Sequence, residues 1–89
     1  MKTLKIFVTG SVQGVYFRQF VNKTAGELKL KGFVRNLEDG RVEVVVEGRD
    51  ETVNEMIEAC KKGAPQANVK EVQTQEISNQ GFESFKILR

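Results

Sequence analysis

Leu4-Lys5-Ile6-Phe7-Val8-Thr9-Gly10 and Phe17-Arg18-Gln19-Phe20-Val21-Asn22-Lys23-Thr24-Ala25-Gly26-Glu27-Leu28 carry two different hydrophobic periods. In the first, apolar residues recur at every second position until Gly10, the pattern of a strand with one buried face. In the second, Phe17, Phe20, Val21, Thr24, Ala25 and Leu28 fall at i, i+3, i+4, i+7, i+8 and i+11, the stripe of a helix packed on one side. Gln19, Asn22, Lys23 and Glu27 cover its other side. A strand that runs straight into an amphipathic helix sets the layering of everything after it.

Outward from this unit, Lys31-Gly32 closes the helix and Phe33-Val34-Arg35-Asn36-Leu37 starts a second strand. Glu38-Asp39-Gly40-Arg41 is a hairpin turn, because Asp and Gly tolerate positive φ. In the third strand Val42, Val44 and Val46 alternate with Glu43, Val45 and Glu47, which predicts one buried face and one at least partly wet. Asp50 is the expected N-cap of a second helix with the stripe Val53, Met56, Ile57 and Cys60, stopped by Gly63 and Pro65. Val69 to Ile77 reads as a long polar strand, and Phe82 to Leu88, beyond Gly81, as a last one. This order, βαββαβ with an additional C-terminal strand, predicts an α+β, ferredoxin-like sandwich with both helices on one face of a mostly antiparallel sheet. A single domain over 1–89 is expected, and its scaffold alone implies no function.

Inventory narrows the chemistry. The chain has 89 residues, no His and one Cys. Ser-His-Asp or Cys-His catalysis, two-His metal helices, internal disulfides and cysteine-rich zinc sites are therefore excluded. Cys60, on the apolar stripe, is expected to be buried and inert. The net charge of +2 is unevenly spread. Residues 1–37 hold Lys2, Lys5, Arg18, Lys23, Lys29, Lys31 and Arg35 against Glu27 alone, whereas acids outnumber bases in 38–89. A basic first segment suits an anion. No run approaches the roughly 18 apolar residues of a membrane span, and the N-terminus has no signal-peptide core, so a cytoplasmic location is expected.

The most unusual segment is Gly10-Ser11-Val12-Gln13-Gly14-Val15-Tyr16-Phe17-Arg18, between the first strand and the first helix. Two glycines allow tight turns, and the segment delivers unpaired N–H groups to a helix start, where the dipole favours an anion. A backbone nest beside an Arg, whose planar donors grip phosphoryl oxygens in pairs, is a phosphate site. It is not a Walker loop, since only three residues separate Gly10 from Gly14 and Val15-Tyr16 stands where Lys and Ser or Thr should follow. From spacing alone, the plainer reading of Arg18 is a solvated helix-surface residue, and that of Asn36 is a polar residue near a strand end that helps form the following turn.

Those residues carry a resemblance. Gly10-Ser11-Val12-Gln13-Gly14-Val15-Tyr16-Phe17-Arg18 is similar to the first signature of the acylphosphatases, Gly-x-Val-Gln-Gly-Val-x-Phe-Arg, at every fixed place. Gly32, Phe33, Val34, Arg35, Asn36, Gly40, Val42 and Gly48 fit the second signature, and Gly63-Ala64-Pro65-x-Ala67-x-Val69 is also similar to family members. The resemblance covers the whole chain. It implies hydrolysis of acyl phosphates to carboxylate and inorganic phosphate, without metal or cofactor, by a monomer inhibited competitively by phosphate. It further implies that the N–H groups of Gln13, Gly14, Val15, Tyr16, Phe17 and Arg18 hold the phosphoryl oxygens together with the Arg18 side chain, and that Asn36 positions the attacking water.

The first strand is expected beside the strand that precedes the hairpin's return, so that Asn36 and the 10–18 loop converge at one end of the sheet. An amide can both donate to and accept from water, orienting it without taking its proton. Two departures stand out: Lys29 replaces a helix-ending Gly, and the C-terminal carboxylate, which pairs with the catalytic Arg in some members, belongs here to Arg89. Two other functions fit the scaffold. Lys31-Gly32-Phe33-Val34 is similar to the start of an RNA-recognition octapeptide, but that motif belongs on the third strand, which here has no aromatic and two acids. A regulatory ligand-binding domain would dimerise and show no turnover. Binding of nucleic acid or membrane is not expected.

Overall fold

The computed structural model describes residues 1–88. The elements are β1 (Lys2–Ser11), α1 (Phe17–Glu27), β2 (Lys31–Asn36), β3 (Val42–Gly48), α2 (Asp50–Lys62), β4 (Asn68–Ile77) and β5 (Phe85–Ile87). They build one sheet in the order β4-β1-β3-β2-β5. All neighbours are antiparallel except β2 and β5. The helix-facing residues of the two central strands, Leu4, Ile6 and Val8 on β1 and Val42, Val44 and Val46 on β3, are all buried. Phe17, Val21 and Ala25 of α1 and Val53, Met56 and Cys60 of α2 close the same core. Each of the Leu, Ile, Val, Phe and Met side chains among them contributes roughly 1.5–3 kcal/mol relative to exposure. The expected architecture, including both helices on one face, is the one observed.

Four details differ from the sequence reading. The second face of β3 is dry: Glu43, Val45 and Glu47 are no more than 4% exposed. Central position accounts for part of this. The rest comes from residues 78–82, which cross the helix-free face as a strap; Phe82 belongs to it instead of starting the last strand, and β5 shrinks to three residues. Glu47 holds the strap, accepting from Thr3 Oγ1 at 2.6 Å and from the backbone N–H groups of Gln80, Gly81 and Phe82. Phe82 packs edge-on against Phe33, and Glu43 meets Arg35 and Lys5. A carboxylate with this many donors is satisfied although buried.

The third difference is at the second helix, where Arg49 is the N-cap and Asp50 the first helical residue. Asp50 and Glu51 in the first turn favour the helix through its dipole instead of a cap hydrogen bond. The fourth concerns strand neighbours: β1 pairs with the return strand β3, not with β2. Lys29 adopts φ +57 just after α1, where Leu30 N donates to Ala25 O at 2.9 Å and Lys29 N to Gly26 O. This is a Schellman ending with a lysine in the place usually taken by glycine.

Candidate active site

The registers of the sheet bring the two signature segments together. Val8 lies opposite Val42 in the β1–β3 pair, and Asn36 lies opposite the same Val42 in the β2–β3 pair. Asn36 is therefore level with the end of the β1–β3 pairing, with β3 between it and β1. Just past that point a bulge between Thr9 and Gly10 shifts the β1–β4 register. Gly10 has φ +138, and a side chain there would run into the Asn68 carbonyl, so only glycine lets β1 pass this close to β4 and turn into the loop.

Within the loop, φ is positive at Gly14 (75°) and Tyr16 (60°) but not at Val15 between them. Such alternation turns successive N–H groups toward one concavity, the geometry of an anion nest. Tyr16 is the N-cap of α1 without a side-chain cap bond, and it is 74% exposed. The N–H groups of Gln13 to Gln19 find no protein acceptor among the described residues. The helix dipole adds positive potential at the same place. Phe17 anchors the loop's end in the core, 1% exposed.

A cavity of about 260 Å³ lies in front of these groups, lined by Val12, Gly14, Tyr16, Phe17, Arg18, Gln19 and Asn36. Arg18 and Asn36 thus share one wall system, as do Gly14, Tyr16 and Phe17. Val15 does not line it and faces a neighbouring groove instead. The Gln13 side chain is turned to another task. Its Nε2 donates to Leu37 O at 2.8 Å and Arg41 O at 2.9 Å, tying the loop to the β2–β3 hairpin and so to Asn36. The sequence assigned a role only to the backbone of Gln13, and a side chain that bonds to carbonyls 24 and 28 residues away has no signature in the chain.

Arg18 Nη1 donates to Leu88 O at 3.2 Å, and Leu88 N donates to Val34 O, so the residue after β5 steadies the guanidinium, whose other donors meet no acceptor among the described residues. The pairing with the Arg89 carboxylate lies outside the described residues. The Asn36 Oδ1 atom is buried without a hydrogen-bond partner among the described residues. Among the described residues, no carboxylate lines the cavity. Cys60 lies apart, fully buried, its thiol pushed up to about 12 by desolvation. The cavity offers an oxyanion a positive, donor-rich seat and a water an acceptor unfilled among the described residues.

Known proteins agree with the two signatures. The acylphosphatase family model matches residues 4–87. An acylphosphatase of Archaeoglobus fulgidus is 41% identical over 98% of both chains. One of Methylococcus capsulatus is 43% identical, spanning 100% of this chain and 98% of its own. The crystal structure of acylphosphatase from Bacillus subtilis superposes with a TM-score of 0.97 at 40% identity over the whole of both chains. A family match across nearly the whole length, with full-length relatives above 40% identity, means that this chain is an enzyme of the acylphosphatase family.

Proposed function

We propose that the protein hydrolyses acyl phosphates without a metal, as a single-domain monomer of the cytoplasm, with Arg18 and Asn36 as its catalytic residues. The phosphoryl oxygens sit in the nest of Gln13 to Arg18 N–H groups and against the Arg18 guanidinium. Water, held by the Asn36 amide, attacks phosphorus in line with the acyl oxygen. The bond from phosphorus to that oxygen breaks, the carboxylate leaves with the electron pair, and the water's proton passes to a phosphoryl oxygen. Such a transition state is loose, with charge spread over the equatorial oxygens, so position and fixed positive charge carry most of the catalysis. No strong base is required, which suits a chain with no histidine.

The observation that carries this reading is the unpartnered, buried Oδ1 of Asn36 in the wall of the cavity that Arg18 also lines. A buried acceptor left open costs roughly 1–3 kcal/mol, and a water held for reaction would satisfy it. The metal-free assignment rests on the donor set: the described lining residues offer cationic and amide groups, not the carboxylate, imidazole or thiolate ligands that divalent ions need.

The test is hydrolysis of benzoyl phosphate and acetyl phosphate with excess EDTA, followed as phosphate release. Undiminished turnover is expected, with inorganic phosphate competing against substrate. Activity abolished by the chelator and restored by a divalent ion would sink the metal-free mechanism. Submicromolar binding of single-stranded RNA at physiological salt, without turnover, would favour the RNA-binding alternative.

A further inference from the structure

A second cavity, about 410 Å³, adjoins the first and shares Tyr16 and Gln19 with it. Its other lining residues include Val15, Phe20, Ala64, Pro65 and the exposed Lys23. We propose that this groove is the acyl subsite, and that it selects apolar, flat acyl groups carrying a second negative charge at their far end. The assignment rests on the acyl phosphatase reading of the first cavity and extends it to substrate class.

In-line displacement puts the water and the leaving carboxyl on opposite sides of phosphorus. Asn36 lines the first cavity but not the groove, so the groove opens on the Tyr16–Gln19 side. An acyl group that leaves the phosphate in that direction enters the groove. Tyr16 stands between the two spaces with its backbone at φ 60 and its side chain exposed. A non-glycine residue in this region is disfavoured unless the surroundings impose it, and such outliers gather at ligand clamps. The Tyr16 ring at this junction can lie along an aryl or alkyl chain.

Charge supplies the second half of the proposal. Among the described residues Lys23 makes no salt bridge, and the groove contains no acidic side chain. Lys23 is exposed and lines the groove further along α1 from the nest than Gln19 and Phe20, on the same helix face. A substrate anchored by its phosphoryl group would therefore meet a second cation only at its distal end. The ammonium is a flexible point charge, suited to a carboxylate of variable placement more than to a fixed bidentate grip.

The experiment compares kcat/KM for acetyl phosphate, benzoyl phosphate and 4-carboxybenzoyl phosphate. In the wild type the values should rise in that order, and the advantage of the carboxylated substrate should shrink with added salt. Lys23→Ala should erase an about 3- to 5-fold preference for 4-carboxybenzoyl over benzoyl phosphate. Gln66→Trp, which narrows the groove from its outer wall, should lower the benzoyl to acetyl ratio about tenfold, mainly through KM. Equal effects of both variants on all three substrates, or a wild type that prefers acetyl phosphate, overturn the subsite while leaving the hydrolase reading intact. A folded wild type that hydrolyses none of the three overturns both.

Discussion

Two stretches of this backbone converge their N–H groups on a point, and they differ in what occupies it. In the 80–82 strap, with Gly81 at φ 74, the N–H groups of Gln80, Gly81 and Phe82 all donate to the carboxylate of Glu47. In the 13–18 loop, with Gly14 at φ 75, the N–H groups find no protein acceptor among the described residues, and the charged side chain among the described residues lining the cavity is a cation, Arg18. The first nest carries its own anion and fastens a segment across the sheet. The second is left open beside a guanidinium. The same local device thus serves stability where the chain supplies the carboxylate and, in the proposed function, phosphate binding where it does not.

The contrast breaks most visibly at the open nest. Arg18→Ala and Asn36→Ala should each lower kcat by about 10² or more, close to 3 kcal/mol, with little change in the thermal midpoint. Steady-state kinetics with benzoyl phosphate beside a melt checks this. A variant that loses stability but keeps its turnover would make the open nest a structural feature like the closed one.

The closed nest should respond in the opposite way. Glu47→Gln is expected to cost about 2 kcal/mol of stability in a urea titration while leaving KM and phosphate inhibition unchanged. The Thr3 hydroxyl first, then the strap N–H groups, hold the Glu47 carboxyl below its ordinary value of 4.5, against the opposing effect of burial. Its folded pKa is lowered, so the stabilisation is complete above the unfolded value and is lost as pH falls through the folded one. Acid titration of stability below about pH 4.5 should be steeper in the wild type than in Glu47→Gln. Coincident curves would remove Glu47 as the anion of that nest.

Smaller effects sharpen the comparison. Gln13→Ala removes both ties between loop and hairpin, and should lower kcat about tenfold through misplacement of Asn36 relative to the nest. A change in KM alone would mean the tie serves phosphate binding only. Lys29→Gly relieves a left-handed residue whose N–H is already satisfied by the helix, and should gain about 1 kcal/mol with kinetics untouched. Tyr16→Gly relieves the same strain at the open nest. If it too left kinetics unchanged, Tyr16 would have no part in the substrate path.

Much of the fold is legible in local patterns. The alternation of Leu4, Ile6 and Val8 and the stripe of Phe17, Val21 and Ala25 identify their elements because burial on one face repeats with the period of the backbone. The glutamates of β3 misled for the same reason. Alternation says which residues share a face, and not whether that face is wet; the strap that dries it lies more than 30 residues away in the chain. Phe82 reads as strand by composition, yet its partner is the Phe33 ring, a contact that no local period encodes.

For the site, the chain alone determined the parts: a glycine-flexed loop at a helix start, one permanent cation, one amide near a strand end, and no histidine. Only the tertiary structure decided that Asn36 and Arg18 border one cavity, through two registers meeting at Val42, and that the Gln13 side chain ties the hairpin instead of facing the ligand. The division has a physical cause. Backbone conformation and helix dipoles are set by neighbours in sequence, whereas a cavity wall is set by strand pairing and packing between residues that the sequence holds far apart.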